Sequence, residues 1–262
     1  MSQNPFFSII IVSLNAEKTI KMTIDSIVNQ SEHDYEVIVK DGGSKDQTIM
    51  CIPKDGHFSV YIESDVSIYD AMNQAVAYSK GKYLIFMNCG DVFSSSNVLK
   101  RIKDSIGLNE YGMVYGDYIR DNILHKQPKK ISKFYMYRTP LCHQSIFFNG
   151  DYLRNNNYYD IQYKILADYD LELRILSKLS VYYVETPVCT YLGGGVSESK
   201  EGIILKKSER KIILSNRFSF MENLLFKAIR KITFPKLRSM LVSSKNIYIK
   251  KTYQTIVNFF NH

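Results

Sequence analysis

Residues 83–87 read YLIFM, five apolar residues in a row, and Asn88-Cys89-Gly90-Asp91 follows at once. Such a run is long enough for a strand buried on both faces and too short for a helix. Two earlier runs share the pattern: FFSIIIVS at 6–13, and YEVIVK at 35–40, which Asp41-Gly42-Gly43-Ser44 breaks. Strands that lack a polar face belong to parallel sheets covered by helices on both sides. Helical segments lie between them. Ile20, Ile24, Ile27 and Val28 recur at helical spacing after Asn15, which is placed to cap that helix, and residues 68–78 turn Met72, Ala75 and Val76 inward. FSVYIE at 58–63 supplies a further strand. Strand and helix alternate with short turns, so the expected architecture is α/β, a Rossmann-like, doubly wound, mostly parallel sheet.

The order beyond Asp91 is less regular. The pattern predicts a short helix over 98–106, a strand over 113–119 interrupted by Gly116-Asp117, and a basic loop over 125–133. An apolar strand over 144–148 and a tyrosine-rich polar loop over 155–159 follow. Asp168 opens a helix whose apolar side is Leu171, Leu173, Ile175, Leu176 and Leu179; a strand over 181–184 and a glycine loop at 193–195 come next.

At 262 residues and 45% hydrophobic, the chain can bury one large core, with or without a smaller appendage. Its net charge of +8 is unevenly spread: residues 201–262 hold 13 Lys/Arg against 3 Asp/Glu, and residues 1–200 hold 21 against 23. The expected division is therefore a near-neutral body over 1–201 and a basic, amphipathic helical tail over 202–262. In the tail Phe218, Met221, Leu224, Leu225, Ala228, Ile229 and Ile232 form a stripe at helical spacing, flanked by Lys227, Arg230 and Lys231, and the basic excess persists through Lys250 and Lys251. That combination predicts a helix lying on an anionic membrane surface, with packing on the body as the alternative. Nucleic acid is not expected as a partner, because Phe218, Phe220 and Phe226 mix with aliphatic residues and form no stacking platform. Cys51, Cys89, Cys142 and Cys189 form no C-x-x-C pair, which points to a reducing compartment. No signal peptide and no run long enough to span a bilayer is visible, so the expected location is cytoplasmic, peripheral on the inner face of the membrane.

Polar residues collect where the predicted strands end. Ser13-Leu14-Asn15 follows the first strand, Asp41 the second, Glu63-Ser64-Asp65 the third and Asn88-Cys89-Gly90-Asp91 the fourth, while Asp168 opens the late helix. A doubly wound sheet sets the first four along its carboxyl edge, where such folds bind ligands. Asp70 and Asn73 lie three apart on one helical face. Each residue has a plain alternative: Asp41 as a turn residue, Asp168 as a helix cap, Asp70 and Asn73 as solvated side chains. No G-x-G-x-x-G follows the first strand, and no G-x-x-x-x-G-K-[ST] occurs. A phosphate here would be met by a divalent cation, Mn2+ or Mg2+, on a hard oxygen ligand such as Asp91, and not by a glycine cradle.

The succession FSIIIVSLN, VIVKDGGSKDQT and ESDVSIYDAMNQAVAYSKGKYLIFMNCGD resembles the inverting nucleotide-sugar glycosyltransferases of family 2, which have a GT-A fold. The similarity covers residues 5–200 and is sharpest at DGGSKDQT and IYDAMNQAVAYSKGKYLIFMNCGD. It implies an enzyme of bacterial polysaccharide synthesis with a nucleotide-sugar donor, expected to be a UDP-sugar, and a saccharide or lipid-linked saccharide acceptor. By this resemblance Asp41 contacts the uracil or ribose, Ser13 and Asn15 pack against the base, and Asp65 completes the nucleoside pocket. Asp70, Asn73 and Asn88 join the donor-binding set. The family's cation and diphosphate segment reads Asn88-Cys89-Gly90-Asp91, so Asn88 replaces the first carboxylate and Asp91 becomes the expected metal ligand, with weakened affinity. The family's general base is the aspartate of an E-D segment. Here Ala167-Asp168-Tyr169-Asp170 matches at Asp168 and lacks the glutamate, with Asp170 as the rival and His143-Gln144 similar to a segment near the acceptor.

One base opposite a charged leaving group gives a single displacement with inversion, and the leaving diphosphate needs no acid. Two other readings stay open from the sequence. A nucleotidyltransferase would want a basic residue near the phosphates early in the chain, and none is convincingly placed. A non-catalytic, membrane-associated nucleotide-binding module is the other.

Overall fold

The apolar runs form strands and the segments between them helices, in the order β1 (Phe7–Ser13), α1 (Ile20–Val28), β2 (Tyr35–Asp41), β3 (Phe58–Ile62), α2 (Ile68–Tyr78) and β4 (Tyr83–Asn88). Next come β5 (Val92–Phe93), α3 (Val98–Ile106), β6 (Met113–Arg120), β7 (Ile123–His125) and α4 (Lys133–Arg138). The chain continues through β8 (Ile146–Asn149), α5 (Gly150–Asn155), α6 (Ala167–Leu176), β9 (Val181–Tyr191), α7 (Lys200–Arg217) and α8 (Phe220–Ile232). This computed structural model describes residues 4–155, 158–191, 193 and 199–232. Part of the loop expected at 155–159, two of the glycines at 193–195 and the basic residues Lys250 and Lys251 lie outside the described residues.

The nine strands of the described residues share one sheet in the order β3-β2-β1-β4-β8-β6-β9-β5, with β7 added on β6. The first four are parallel. β8 runs antiparallel to both β4 and β6, while β6 and β9 pair in parallel. Pleating sends alternate residues to opposite faces. Ile9, Ile11, Val37, Val39, Ile85 and Met87 meet α1 and α3 through Ile20, Ile24, Ile27, Leu99 and Ile102. Ile10, Ile38, Leu84 and Phe86 meet α2 and α6 through Tyr69, Met72, Leu171 and Ile175. Burying each such side chain contributes about 1.5–3 kcal/mol, which is why the central strands are apolar on both faces.

Three local expectations change. Asn15 does not cap α1; it takes a left-handed backbone (φ 50°), and Thr19 stands at the cap. The strand expected at 144–148 starts at Ile146, because His143–Ser145 form a 3-10 turn. The strand expected to end at 184 continues to Tyr191, paired along β6 past a bulge near Asp117.

The helices after residue 200 pack on the α2/α6 face. Ile213, Phe218, Phe226 and Ile229 are buried there. The Phe226 ring lies 5.4 Å from Phe134 and 5.2 Å from Tyr137 of α4. The expected stripe therefore divides: Met221, Leu224 and Leu225 stay exposed together with Phe220, while Phe218 and Ile229 join the core. No described helix is long and apolar enough to cross a membrane.

Candidate active site

The strand order reverses between β1 and β4, so the loops that leave their carboxyl ends part and open a crevice. Register sets Ser13 beside Asp41 and Val12 beside Asn88 at that edge. Asp41 is fully buried. Its Oδ2 accepts from the hydroxyls of Ser13 (2.7 Å) and Ser44 (2.6 Å), and its Oδ1 from the N–H groups of Ser44 (2.6 Å) and Gly43 (2.9 Å). Burial pushes this carboxyl up, but the donors from Ser44, Ser13 and Gly43 outweigh it and hold it below the usual range. Ser44 also accepts from the Asn15 N–H at 2.8 Å, and Asn15 Oδ1 accepts from the Lys45 N–H at 3.0 Å. Ser13, Asn15 and Asp41 thus form one bonded edge. Lys40 is fully buried beneath it. Its ammonium donates to the Glu63 carbonyl at 2.5 Å and stands 3.3 Å from Asp65, which draws Asp65 toward Asp41. The sequence reading passed over Lys40; a cation inside an apolar strand was its signal, since a buried lysine demands a partner.

At the end of β4 the Asp91 N–H closes a turn onto the Asn88 carbonyl at 3.0 Å. Thr23 of α1 clamps the turn, donating to the Asp91 carbonyl and accepting from the Gly90 N–H, both at 2.8 Å. Gly90 takes φ 108°, a conformation closed to side-chain-bearing residues. Asp91 is 4% exposed. The Cys89 thiol is pushed up to about 12 by burial first, then by the charges of Asp41 and Asp91, so both carboxylates lie within electrostatic reach of one thiol. Asn88 Oδ1 is buried without a hydrogen-bond partner among the described residues. Among the described residues no group of three or more His, Cys, Asp or Glu could hold a metal ion. An orphaned carboxamide oxygen and a nearby carboxylate nevertheless fit a hard cation that takes one or two protein ligands and completes its shell with phosphate and water.

Asp168 stands half-buried in the first turn of α6. Its Oδ1 accepts from the Tyr69 hydroxyl at 3.2 Å and the Tyr169 N–H at 2.8 Å, while Oδ2 accepts no hydrogen bond among the described residues. Burial, then the charge of Asp168, raise the Tyr69 hydroxyl well above its ordinary range, so it remains a donor at neutral pH. His143 is buried, its ring stacked 5.4 Å from Phe86 and its Nε2 3.5 Å from the Tyr159 hydroxyl. Burial holds the imidazole below the usual range against the opposing charge of Asp168, which keeps it neutral at pH 7. Glu172, one turn beyond Asp168, accepts from the Leu141 N–H at 3.0 Å through Oε2, and its Oε1 is buried without a partner among the described residues. Burial first, and the charge of Asp168 next, push its carboxyl well above the carboxylate range. Phe86 lies two residues before Asn88 on β4, so the His143 and Asp168 cluster adjoins the crevice edge.

Three other predicted residues are committed to contacts within the fold. Asp70 accepts from the Val66 N–H (3.0 Å) and Gln74 Nε2 (3.1 Å), finishing the start of α2 opposite the Ser67 cap. Asn73 bonds both the N–H and the carbonyl of Tyr159, at 2.8 and 2.9 Å. Asp170 is fully buried and ion-paired with Arg174 at 3.0 Å and with Arg217 at 2.7 Å.

Residues 8–164 match the family described as Glycosyl transferase family 2. A PGL/p-HBAD biosynthesis glycosyltransferase of Mycobacterium bovis (strain BCG / Pasteur 1173P2) is 30% identical over 224 residues, which is 81% of this chain and 86% of that protein. The crystal structure of S. aureus TarS 1-349 in complex with UDP-GlcNAc is similar with a TM-score of 0.68 at 14% identity, covering 97% of this chain and 80% of that one. Glucosyl-3-phosphoglycerate synthase from Mycobacterium tuberculosis, solved with Mn2+, UDP-glucose and phosphoglyceric acid, gives a TM-score of 0.56 at 17% identity, covering 79% and 80%. The mixed sheet with helices on both faces is the GT-A fold of such structures.

Proposed function

The chain belongs to glycosyl transferase family 2, and from that membership we propose that it moves a sugar from a UDP-sugar to a hydroxyl of a saccharide or lipid-linked saccharide, in one displacement with inversion. The observation that carries this reading is the state of Asp168. One of its oxygens is fixed by Tyr69 and Tyr169, and the other accepts no hydrogen bond among the described residues. A general base must be held in place and still have an oxygen to receive the acceptor's proton. Asp41, kept ionised by four donors, serves the nucleoside together with Ser13, Asn15 and Asp65. The donor class is supported by two proteins of similar fold, one holding UDP-GlcNAc and the other UDP-glucose with Mn2+.

Asp91 and Asn88 would hold a divalent cation, which when bound would supply positive charge against the departing diphosphate. Asp168 takes the proton of the acceptor hydroxyl as that oxygen attacks the anomeric carbon. His143, neutral and buried against Phe86 and Tyr159, offers a hydrogen bond to the acceptor without a competing charge. The exposed Phe220, Met221, Leu224 and Leu225 of α8 support a peripheral position on the inner face of the cytoplasmic membrane, where lipid-linked acceptors for cell-surface polysaccharide, lipopolysaccharide or capsule, would be met.

Losing a general base costs about 10²–10⁴-fold in rate. Asp168→Asn is expected to lose turnover on that scale, measured as UDP release from a panel of UDP-sugars with manganese. UDP should raise the melting temperature of the variant and of the parent alike. A folded Asp168→Asn protein with full turnover would end the assignment.

A further inference from the structure

α6 begins at Ala167 behind a leucine, Leu166, which has no side-chain oxygen to cap the first turn. The segment that leads into it, residues 164–166, is held from α7. Glu209, in the middle of α7 and 4% exposed, turns its carboxylate onto this segment. One oxygen accepts from the Lys164 N–H at 2.7 Å, and the other accepts from the N–H groups of Ile165 at 3.0 Å and Leu166 at 2.9 Å. The same short segment is held from its other side by Tyr69 of α2, whose hydroxyl reaches both the Ile165 carbonyl at 2.8 Å and Asp168 Oδ1 at 3.2 Å. A second tie runs between the same helices, because Arg217 at the end of α7 pairs with Asp170 through two nitrogens, at 2.7 and 3.0 Å.

We infer that Glu209 is a positioning residue for Asp168, setting from α7 the start and rotation of the turn that carries the base. The inference rests on the reading of Asp168 as that base. Three converging N–H groups satisfy a buried carboxylate that would otherwise be costly to desolvate. Three N–H groups gathered by one carboxylate fix the backbone of residues 164–166, and that backbone leads directly into α6 and so sets how the helix enters. Asp168 lies two residues beyond the last of the bonded amides, so rotation of this turn carries its carboxylate with it. A general base displaced by an ångström loses alignment with the acceptor hydroxyl, while the nucleotide, bound at the other strand ends, is untouched.

The test compares Glu209→Ala, Glu209→Gln and Asp168→Asn in the full chain, assayed well below each protein's melting temperature. UDP release from a panel of UDP-sugars with manganese gives kcat and donor KM, UDP titration gives donor-site affinity, and amide exchange follows residues 164–169. Glu209→Ala is expected to lose kcat by about 10- to 100-fold, as a displaced catalytic group does, with donor KM and UDP affinity unchanged and faster exchange confined to 164–169. Glu209→Gln keeps one acceptor oxygen and sets an amide donor against an N–H, so its kcat should fall between. If Glu209→Ala does not fold, the isosteric Glu209→Gln decides alone. A purely structural Glu209 would lower the melting temperature and leave kcat per folded molecule intact, and that result overturns the inference. Full turnover by Asp168→Asn would instead remove the base assignment on which it rests.

Discussion

Asp41 and Glu172 are both shut away from water, yet their protons are held in opposite ways. Asp41 accepts four hydrogen bonds that favour its charge, whereas Glu172 accepts one and faces the charge of Asp168. For Asp41 the folded value lies below the unfolded one. Its stabilising contribution is present above the ordinary aspartate range and is lost as pH falls through the folded value. For Glu172 the sign reverses: the folded chain keeps the proton longer, so its contribution is complete below the ordinary glutamate range and is lost as pH rises toward the folded value. Glu172→Gln mimics the neutral acid in both states. It should therefore raise the melting temperature at neutral pH, with the gain shrinking toward about pH 4, where the parent is protonated folded or unfolded. Melting curves across that range check it; a gain independent of pH would point to packing. Asp41 stood out in the sequence because it ends an apolar strand in the DGGSKDQT segment that carries the family resemblance. Glu172 did not, since in DLELRIL a glutamate between leucines looks like the polar side of an amphipathic helix, and only the packed 140–145 segment reveals its burial.

The elements readable from pattern alone were those with one neighbourhood on each face. The middles of β1, β2 and β4 are apolar on both faces because helices cover both sides, and α1 and α2 carry their inward residues at helical spacing. β6 and β9 were harder: Gly116-Asp117 marked an interruption in the first of them, but nothing local showed that β9 pairs with it on both sides of that bulge. The bulge turns Asp117 Oδ1 to accept from the Gln127 N–H at 2.9 Å and from the Tyr183 hydroxyl at 2.8 Å. Gln127 Oε1 in turn accepts from the Cys142 N–H at 3.0 Å, immediately before His143. An irregular strand thus anchors the turn that carries the buried imidazole. Gly116 permits this close approach: a Cβ there would collide with the Thr186 carbonyl oxygen and stand 2.9 Å from Val188 Cγ2. Gly116→Ala should destabilise the protein by about 1–3 kcal/mol, the ordinary cost of overpacking. Chemical denaturation measures it, and an unchanged midpoint would show that β9 can move aside.

At the scale of the whole molecule, net charge announced the basic character of the C-terminal region but not where its helices go. Charge counts describe what faces water, whereas Glu209 and Ile213 of α7 face the body, so the helix that looked like an appendage also braces α6. The division of α8 leaves four large apolar side chains in solvent: Phe220 at 80%, Met221 at 69%, Leu224 at 55% and Leu225 at 52% exposed. Exposed apolar patches of this kind on a basic helix mark a contact surface. Two forces would act on it at an anionic bilayer. Each nearby Lys or Arg contributes about 1 kcal/mol, screened beyond roughly 10 Å at 0.1 M salt, while apolar burial is insensitive to such screening. The full chain should therefore co-sediment with vesicles containing phosphatidylserine at low salt and bind neutral phosphatidylcholine vesicles less. Added salt should remove the difference between the two. A Leu224→Ser, Leu225→Ser double variant should weaken binding at every salt concentration, because the lost component is the unscreened one, and UDP affinity should be unaffected in the same protein. No binding to the anionic vesicles at low salt would mean that the apolar face of α8 meets something other than lipid. Binding by the double variant at the parent's level would place the attachment in the charges alone.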